Sequence, residues 1–216
     1  MSLIQKITKQ LNTTLPGKSA QIKMMRTDLN QKLKDHYFDP AKEAKKACVM
    51  LLLYQKNNHW YTALMQRPKS PHAHSRQISL PGGRLEAYDS SLEAAAKRET
   101  EEEFGISAQE IETIGRLSDL YIPVSNFLVH PFVGYLKKQP QFVPNAKEVE
   151  SIIEVRINDL MNLSLRKVKD IRTEQGYLLE DIPYFDLSNK VVWGATAMML
   201  SEFTEILGAL HGATNF

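Results

Sequence analysis

With 216 residues the chain is long enough to enclose a real hydrophobic core as one domain with additions, and short for two. Its net charge of +2 leaves no electrostatic footprint for nucleic acid or for an acidic membrane surface, and no apolar run approaches the length of a bilayer-spanning helix. The single cysteine, Cys48, excludes an intrachain disulfide and a cysteine-based metal site; its place in the apolar run Ala47–Leu53 reads as a buried thiol in a reducing compartment. The opening residues lack the apolar stretch of a secretory leader, so cytoplasm is the expected location.

In chain order, Leu3, Ile4, Ile7 and Leu11 recur at helical spacing, which predicts a short amphipathic helix over residues 2–12, broken at Leu15-Pro16-Gly17. The charged stretch from Gln21 to Lys46 is weakly patterned, with a helix expected around Thr27 to His36. Residues 1–45 therefore read as a helical arm packing on a main domain of residues 46–216. Pro16-Gly17-Lys18-Ser19 looks like the end of a phosphate loop, but the first glycine of G-x-x-x-x-G-K-[ST] is missing, and no such loop is assigned.

The continuous apolar run Ala47 to Tyr54 predicts a buried strand. Asn57-Asn58 makes a turn, and Trp60 to Gln66 returns as the second strand of a hairpin. A basic loop, Arg67 to Gln77, follows with two prolines and two histidines. His72 and His74 have ligand spacing, yet no cysteine or third histidine accompanies them, so no zinc site is assigned. An extended Leu80-Pro81, a Gly82-Gly83 turn and a polar loop then lead into one strong helix. Ser90, three residues before Glu93, has the spacing of a capping box and sets its start; Gly105 sets its end. Strands are expected at Glu110–Leu117, Phe127–Leu136 and Val149–Arg156. Two or three short strands are expected between Leu165 and Leu187 around Gln175-Gly176. Trp193-Gly194-Ala195-Thr196 opens a last helix running to Leu207. This succession predicts an α+β fold with a mixed sheet between helices.

The central helix carries the chemistry. Glu99, Glu102 and Glu103 fall at i, i+3 and i+4, which puts three carboxylates on one face. Like charges at that spacing cost roughly a few tenths of a kcal/mol per pair, and a helix C-terminus adds to the penalty. A solvated acidic face is one reading. A compensating cation is the other, and hard oxygen ligands suit Mg²⁺ or Mn²⁺.

Gly82-Gly83 followed by Arg98-Glu99-Thr100-Glu101-Glu102-Glu103-Phe104-Gly105-Ile106 resembles the Nudix hydrolases, whose box reads G-x5-E-x7-R-E-u-x-E-E-x-G-u with u aliphatic. Thr100 is a loose fit at a u position. Asp89 stands in place of the first Glu, with one extra residue before Arg98. That variant spacing is similar to the coenzyme A pyrophosphatase branch. Upstream, Arg67, His74 and Gln77 match that branch's L-L-T-x-R-S and H-x-G-Q-V-A-F-P-G-G signature. Arg76 replaces its glycine, Leu80 its phenylalanine, and Glu86 stands where it often has Asp. Arginine takes positive φ less cheaply than glycine, so a reshaped loop is expected there. Val129–Gly134, Asn145–Val149 and Trp193–Ala197 extend the resemblance over most of the chain.

The resemblance implies an α/β/α sandwich and metal-dependent hydrolysis of a nucleoside diphosphate derivative, foremost coenzyme A or acyl-CoA, giving 3′,5′-ADP and 4′-phosphopantetheine. Glu99, Glu102, Glu103 and the Gly83 carbonyl are the expected ligands of Mg²⁺ or Mn²⁺. Arg98 is expected to orient a glutamate through a bidentate bond. The general base stays open among Glu102, Glu103, Glu148 and Glu150; Asp89 and Glu86 are candidates for outer water contacts or helix capping. Arg67, Lys69, His74, Arg76 and Gln77 are candidates to meet substrate, with loop bracing the alternative for Arg67 and Gln77. Rival readings are the same fold acting on ADP-ribose, NADH or nucleoside triphosphates, and a nucleotide-sensing module without catalysis. A small nucleotide is the expected partner, without nucleic acid or membrane; the apolar first strand and amino-terminal helix are candidates for a homodimer interface.

Overall fold

The apolar run expected as the first strand forms β1 (Lys45–Lys56), and the main sheet is assembled on it. The computed structural model describes residues 1–26, 43–70, 75–173 and 176–210. Along β1, Cys48, Met50, Leu52 and Tyr54 enter one apolar cluster, while Leu51 and Leu53 enter another on the opposite face. Side chains alternate along a strand, so a strand covered on both faces must be apolar at every position. That is why the run is unbroken.

A turn with positive φ at Asn57 and Asn58 returns the chain as β2 (His59–Gln66), antiparallel to the end of β1. The short β3 (Ile78–Ser79) borders β2, and β4 (Gly82–Arg84) lies antiparallel to the first half of β1. Strands β5 (Glu112–Arg116) and β6 (Leu120–Ile122) pair with β7 (Phe127–Tyr135), which runs parallel to β1 from Lys45 to Leu53. Finally β8 (Ser151–Arg156) pairs with β2. The sheet is mixed, as expected.

Helices α1 (Leu3–Leu11), α2 (Lys18–Gln21), α3 (Leu92–Phe104), α4 (Ile157–Met161) and α5 (Gly194–Gly208) flank it. Ala95, Ala96 and Phe104 bring α3 onto one face; α1, α4 and α5 fill the other through Ile7, Leu11, Leu160, Leu200, Phe203 and Leu207. A second sheet of β9 (Arg166–Arg172), β10 (Leu178–Leu187) and β11 (Lys190–Trp193), in the order β11-β10-β9, packs Phe185, Leu187 and Val192 on the α5 side. The result is an α+β sandwich with the small sheet as an addition. No helix among the described residues is long and apolar enough to cross a membrane.

Several expectations need correction. The cap of α3 is Ser91, whose Oγ accepts from the Ala94 N–H at 3.0 Å; Ser90 lies one residue outside, so no capping box forms with Glu93. The first strand cannot be a dimer interface, because β1 is paired along both edges and buried on both faces. The apolar residues Ile7 and Leu11 of α1 are likewise buried in the chain's own core. The helix expected around Thr27 to His36 lies outside the described residues.

One buried acid ties the amino-terminal segment to the domain. Glu202 on α5 is inaccessible to solvent and accepts from Gly17 N–H (3.1 Å), Gln21 Nε2 (2.9 Å), Ser118 N–H (3.1 Å) and Ser118 Oγ (2.6 Å). An orphaned buried donor costs about 1–3 kcal/mol, so Glu202→Leu is expected to lower the urea unfolding free energy by at least about 2 kcal/mol. A variant as stable as the parent would show that this knot carries no weight.

Candidate active site

The helix α3 is positioned at both ends. Near its middle Thr100, the loose fit to the aliphatic pattern, is fully buried because its Oγ1 donates to the Ala96 carbonyl at 2.7 Å. Its hydroxyl is satisfied within the helix, and only apolar surface meets the sheet. The helix ends at Gly105 with φ 69°, where a Cβ would sit 2.7 Å from the Val143 carbonyl oxygen, so glycine is required. The loop after β7 fastens onto that end. Val143 N–H donates to the Phe104 carbonyl (2.9 Å) and Asn145 N–H to the Glu103 carbonyl (3.1 Å), satisfying groups a helix C-terminus leaves open. Asn145 in turn accepts from the Glu148 N–H through its carbonyl (2.9 Å) and donates from Nδ2 to Glu148 Oε1 (3.3 Å). The loop thus carries Glu148 to the acidic end of α3.

Glu103 is 1% exposed, and its Oε2 accepts from the Gly82 N–H at 2.7 Å while Arg67 Nη2 lies 3.6 Å from Oε1. Burial pushes its carboxyl up to about 8, against the opposing pull of Arg67 and the Gly82 N–H, and the charges of Glu99 and Glu148 push the same way. Glu99 is also raised, first by burial, with Glu102 and Glu148 adding to it and Arg98 opposing. It rests directly on Gly83: a Cβ built there would lie 2.4 Å from its carboxyl carbon. Glu102 is half exposed. These shifts make Glu99, Glu103 and Glu148 one electrostatic group.

Arg98 is the cation of the cluster. Its Nη1 lies 2.9 Å from both Glu99 Oε1 and Glu102 Oε2, and its guanidinium also covers the Tyr88 ring at 5.4 Å. The bidentate partner is Asp89, not a glutamate: Nε donates to Oδ1 at 2.9 Å and Nη2 to Oδ2 at 3.1 Å. Asp89 additionally accepts from the Glu86 N–H at 2.9 Å, and its carboxyl is held below the usual range, first by Arg98. Asp89 therefore orients the arginine, and the arginine orients the glutamates.

The remaining candidates divide. Arg67 braces the site, with Nη2 on the Gly82 carbonyl at 3.3 Å and its N–H on the Gln77 carbonyl at 3.0 Å. Gln77 and Arg76 line a separate cavity beside β11. Arg76 adopts φ 57°, a left-handed conformation that glycine takes more cheaply than arginine. His74 lies outside the described residues. The Gly83 carbonyl accepts a weak bond from the Cys48 thiol at 3.7 Å, and that thiol is buried and pushed up to about 12, first by desolvation and then by Glu99. The pairings of Arg67 with Glu103 and of Asp89 with Arg98 were missed in the sequence; the only signal for the second was the retained acid ahead of the helix.

The donor set is oxygen throughout, as Mg²⁺ or Mn²⁺ prefers. Among the described residues no three acidic, histidine or cysteine side chains converge on a single point, and the Arg98 guanidinium bridges Glu99 and Glu102. The fit to a dication rests on the crowding of Glu99, Glu103 and Glu148, whose mutual repulsion a cation would relieve.

Two outcomes follow, the first for the chelated protein and the second for the protein supplied with Mg²⁺. A folded-state carboxyl near 8 binds a proton that the unfolded chain has already released, so stability falls as pH rises from about 4.5 to about 8. Glu103→Gln keeps an acceptor for the Gly82 N–H and removes the ionisation, so the slope of thermal midpoint against pH over that window should flatten. An unchanged slope would contradict the burial of a titrating acid. Gly83→Ala should displace Glu99 and abolish turnover in a folded protein, read by activity beside circular dichroism; full activity would contradict the close packing of Glu99 on Gly83.

Comparison with known proteins identifies the family. The NUDIX domain family matches residues 44–180, well over half of the chain. The protein named Uncharacterized Nudix hydrolase NudL from Photorhabdus laumondii is 29% identical over 144 residues, 66% of this chain and 74% of that protein. Its namesake from Yersinia pestis is 29% identical over 142 residues, 66% of this chain and 70% of that protein. The crystal structure of RenU, a Nudix hydrolase from M. smegmatis, covers 80% of this chain and 89% of its own with a TM-score of 0.51 at 14% identity, a likeness of fold. The chain belongs to the Nudix family and is a Nudix hydrolase.

Proposed function

We propose that this Nudix hydrolase cleaves the pyrophosphate of coenzyme A or an acyl-CoA to 3′,5′-ADP and 4′-phosphopantetheine, with Mg²⁺ or Mn²⁺, in the cytoplasm. The observation that carries the catalytic part is the group formed by Glu99 on Gly83 and the buried Glu103 on Gly82, where loop and helix meet. The coenzyme A part is supported by Asp89: despite the extra residue in the box, it keeps a two-bond contact with Arg98. It is supported also by Arg76, whose φ of 57° is one that the glycine of the branch's upstream signature would take readily.

Glu99, Glu102, Glu103 and the Gly83 carbonyl would hold the dication. When bound, it supplies charge neutralisation for the diphosphate oxygens and makes water more acidic. The protein's own residues do the rest. Arg98, fixed by Asp89, sets the orientation of Glu99 and Glu102. Arg67 holds Glu103 and the Gly82 carbonyl in place and is half-buried at the rim. Glu148, carried on the loop fastened to the helix end, takes the proton from the attacking water. Its loop is fixed by backbone bonds, so the base approaches with little entropy left to lose.

Turnover on a panel of coenzyme A, acetyl-CoA, ADP-ribose, NADH and nucleoside triphosphates tests the substrate. Cleavage of the coenzyme A pair is expected; indifference to coenzyme A with rapid ADP-ribose cleavage would end this reading. Glu102→Gln, at a half-exposed position, should lower kcat by about 100-fold or more with an intact thermal midpoint. An unaffected rate would put the chemistry elsewhere.

A further inference from the structure

The small sheet ends on an open edge. Its order is β11-β10-β9, with β11 lying beside β3 of the main sheet, so β9 is the outer strand. Among the described residues β9 pairs with β10 alone. Lys167 to Asp170 and Arg172 are exposed, and Val168 keeps 58% of its surface in solvent. A strand of seven residues with one unpaired row of backbone donors and acceptors is a template for another strand. The usual guards are missing or turned away. β9 contains no proline, and the irregularity in this sheet belongs to β10, between Leu179 and Ile182. Lysines guard an edge by standing out from it. Here Lys167 Nζ is held 2.7 Å from Asp186 Oδ2 and Lys169 Nζ sits 5.9 Å from the Tyr184 ring centre, both over the sheet's own face.

The sequence of the edge then selects a partner. Two copies of one strand related by a two-fold axis pair antiparallel, and the axis carries each residue to the same face, so one residue must stand opposite itself. Of the seven centres that β9 offers, six set like charges against each other. Arg166, Lys167, Lys169, Asp170 and Arg172 each meet their own kind, and a centre at Val168 sets Lys167 against Lys169. Ile171 escapes this. Centred there, Asp170 of each copy faces Arg172 of the other, and Lys169 faces Thr173.

The residues behind the edge agree with that register. Within one copy Ile171 stands opposite Leu179, and both are partly exposed. Joining two copies at Ile171 therefore runs an apolar row across the new sheet, Leu179 and Ile171 followed by the same two of the other copy. The opposite face carries the Asp170–Arg172 pairs. Asp170 accepts from the Asp181 N–H through Oδ1 (3.1 Å), and Arg172 donates to the Gly176 carbonyl through Nη1 (3.3 Å). A carboxylate and a guanidinium each have a further atom to offer a partner. We propose that the β9 edge is the interaction surface for a second copy of this chain, joined antiparallel about Ile171. The alternation of Lys169, Asp170 and Arg172 suits a strand with the same alternation, whereas a uniformly acidic or basic segment meets a like charge.

The paired stretch 169–173 is short, so a weak association is expected, with a dissociation constant of about 10–100 µM. Sedimentation equilibrium from about 5 to about 500 µM reads it; a monomer throughout overturns the proposal. Asp170→Arg and Arg172→Asp each set like charges opposite and should weaken the dimer about tenfold or more. The chain carrying both changes should return to within about threefold of the parent. No loss in either single variant overturns the proposal, and so does a folded double variant, checked by circular dichroism, that fails to regain the dimer. Cysteine linkage maps the contact independently. Directly opposed residues have Cα atoms about 4.5–5.5 Å apart, within disulfide reach. Ile171→Cys should link two copies under diamide while Lys167→Cys, far from the axis, should not; the native Cys48 is buried. An Ile171→Cys chain that stays unlinked, or a Lys167→Cys chain that links, overturns the proposal.

Discussion

Glu103 joins three parts of the molecule through one residue. Its carboxylate accepts from the Gly82 N–H inside the protein, and its backbone carbonyl accepts from the Asn145 N–H. The side chain therefore binds helix α3 to the glycine turn, and the main chain binds the same helix to the loop bearing Glu148. An acid held in the interior is costly unless it is paired, hydrogen-bonded or protonated. Here it has one backbone donor at 2.7 Å, a guanidinium at 3.6 Å and a raised carboxyl pKa. That combination is strained electrostatically and well fixed sterically. Such a site gains from a cation.

Arg98 sets the balance. One guanidinium serves Asp89, Glu99 and Glu102, so each glutamate receives a single bond while Asp89 receives two. The strong bidentate bond pins the arginine, and the weaker links can be exchanged for another cation. Glu102 is the residue free to move, since it is half exposed and fixed at one end only. Stability and readiness for a dication thus come from the same arginine.

What could be read from the sequence was local. The continuous run around Cys48 specified a strand buried on both faces, and the Gly105 stop and the i, i+3, i+4 glutamates specified the helix and its acidic face, because those signals lie within a few residues of one another. The cap was placed one residue early because Ser90 and Ser91 are adjacent and only the backbone decides between them. Strands of two to four residues such as β3, β4, β6 and β11 have no periodicity of their own; they are strands because β1, β2, β7 or β10 offers them an edge. In a basic loop Arg67 reads as a phosphate contact, whereas its partners, Gly82 and Glu103, stand 15 and 36 positions away in sequence.

The central claim is that this crowded acid group is a dication site, and Mn²⁺ titration by calorimetry near pH 7, in buffers of different ionisation enthalpy, addresses it most directly. Saturable binding accompanied by proton release is expected, since a carboxyl held near 8 must ionise to coordinate. Both the binding and the released proton should be lost in Glu103→Gln, and the binding in Glu99→Gln. Absence of saturable binding in the parent, or undiminished affinity in both variants, would contradict it.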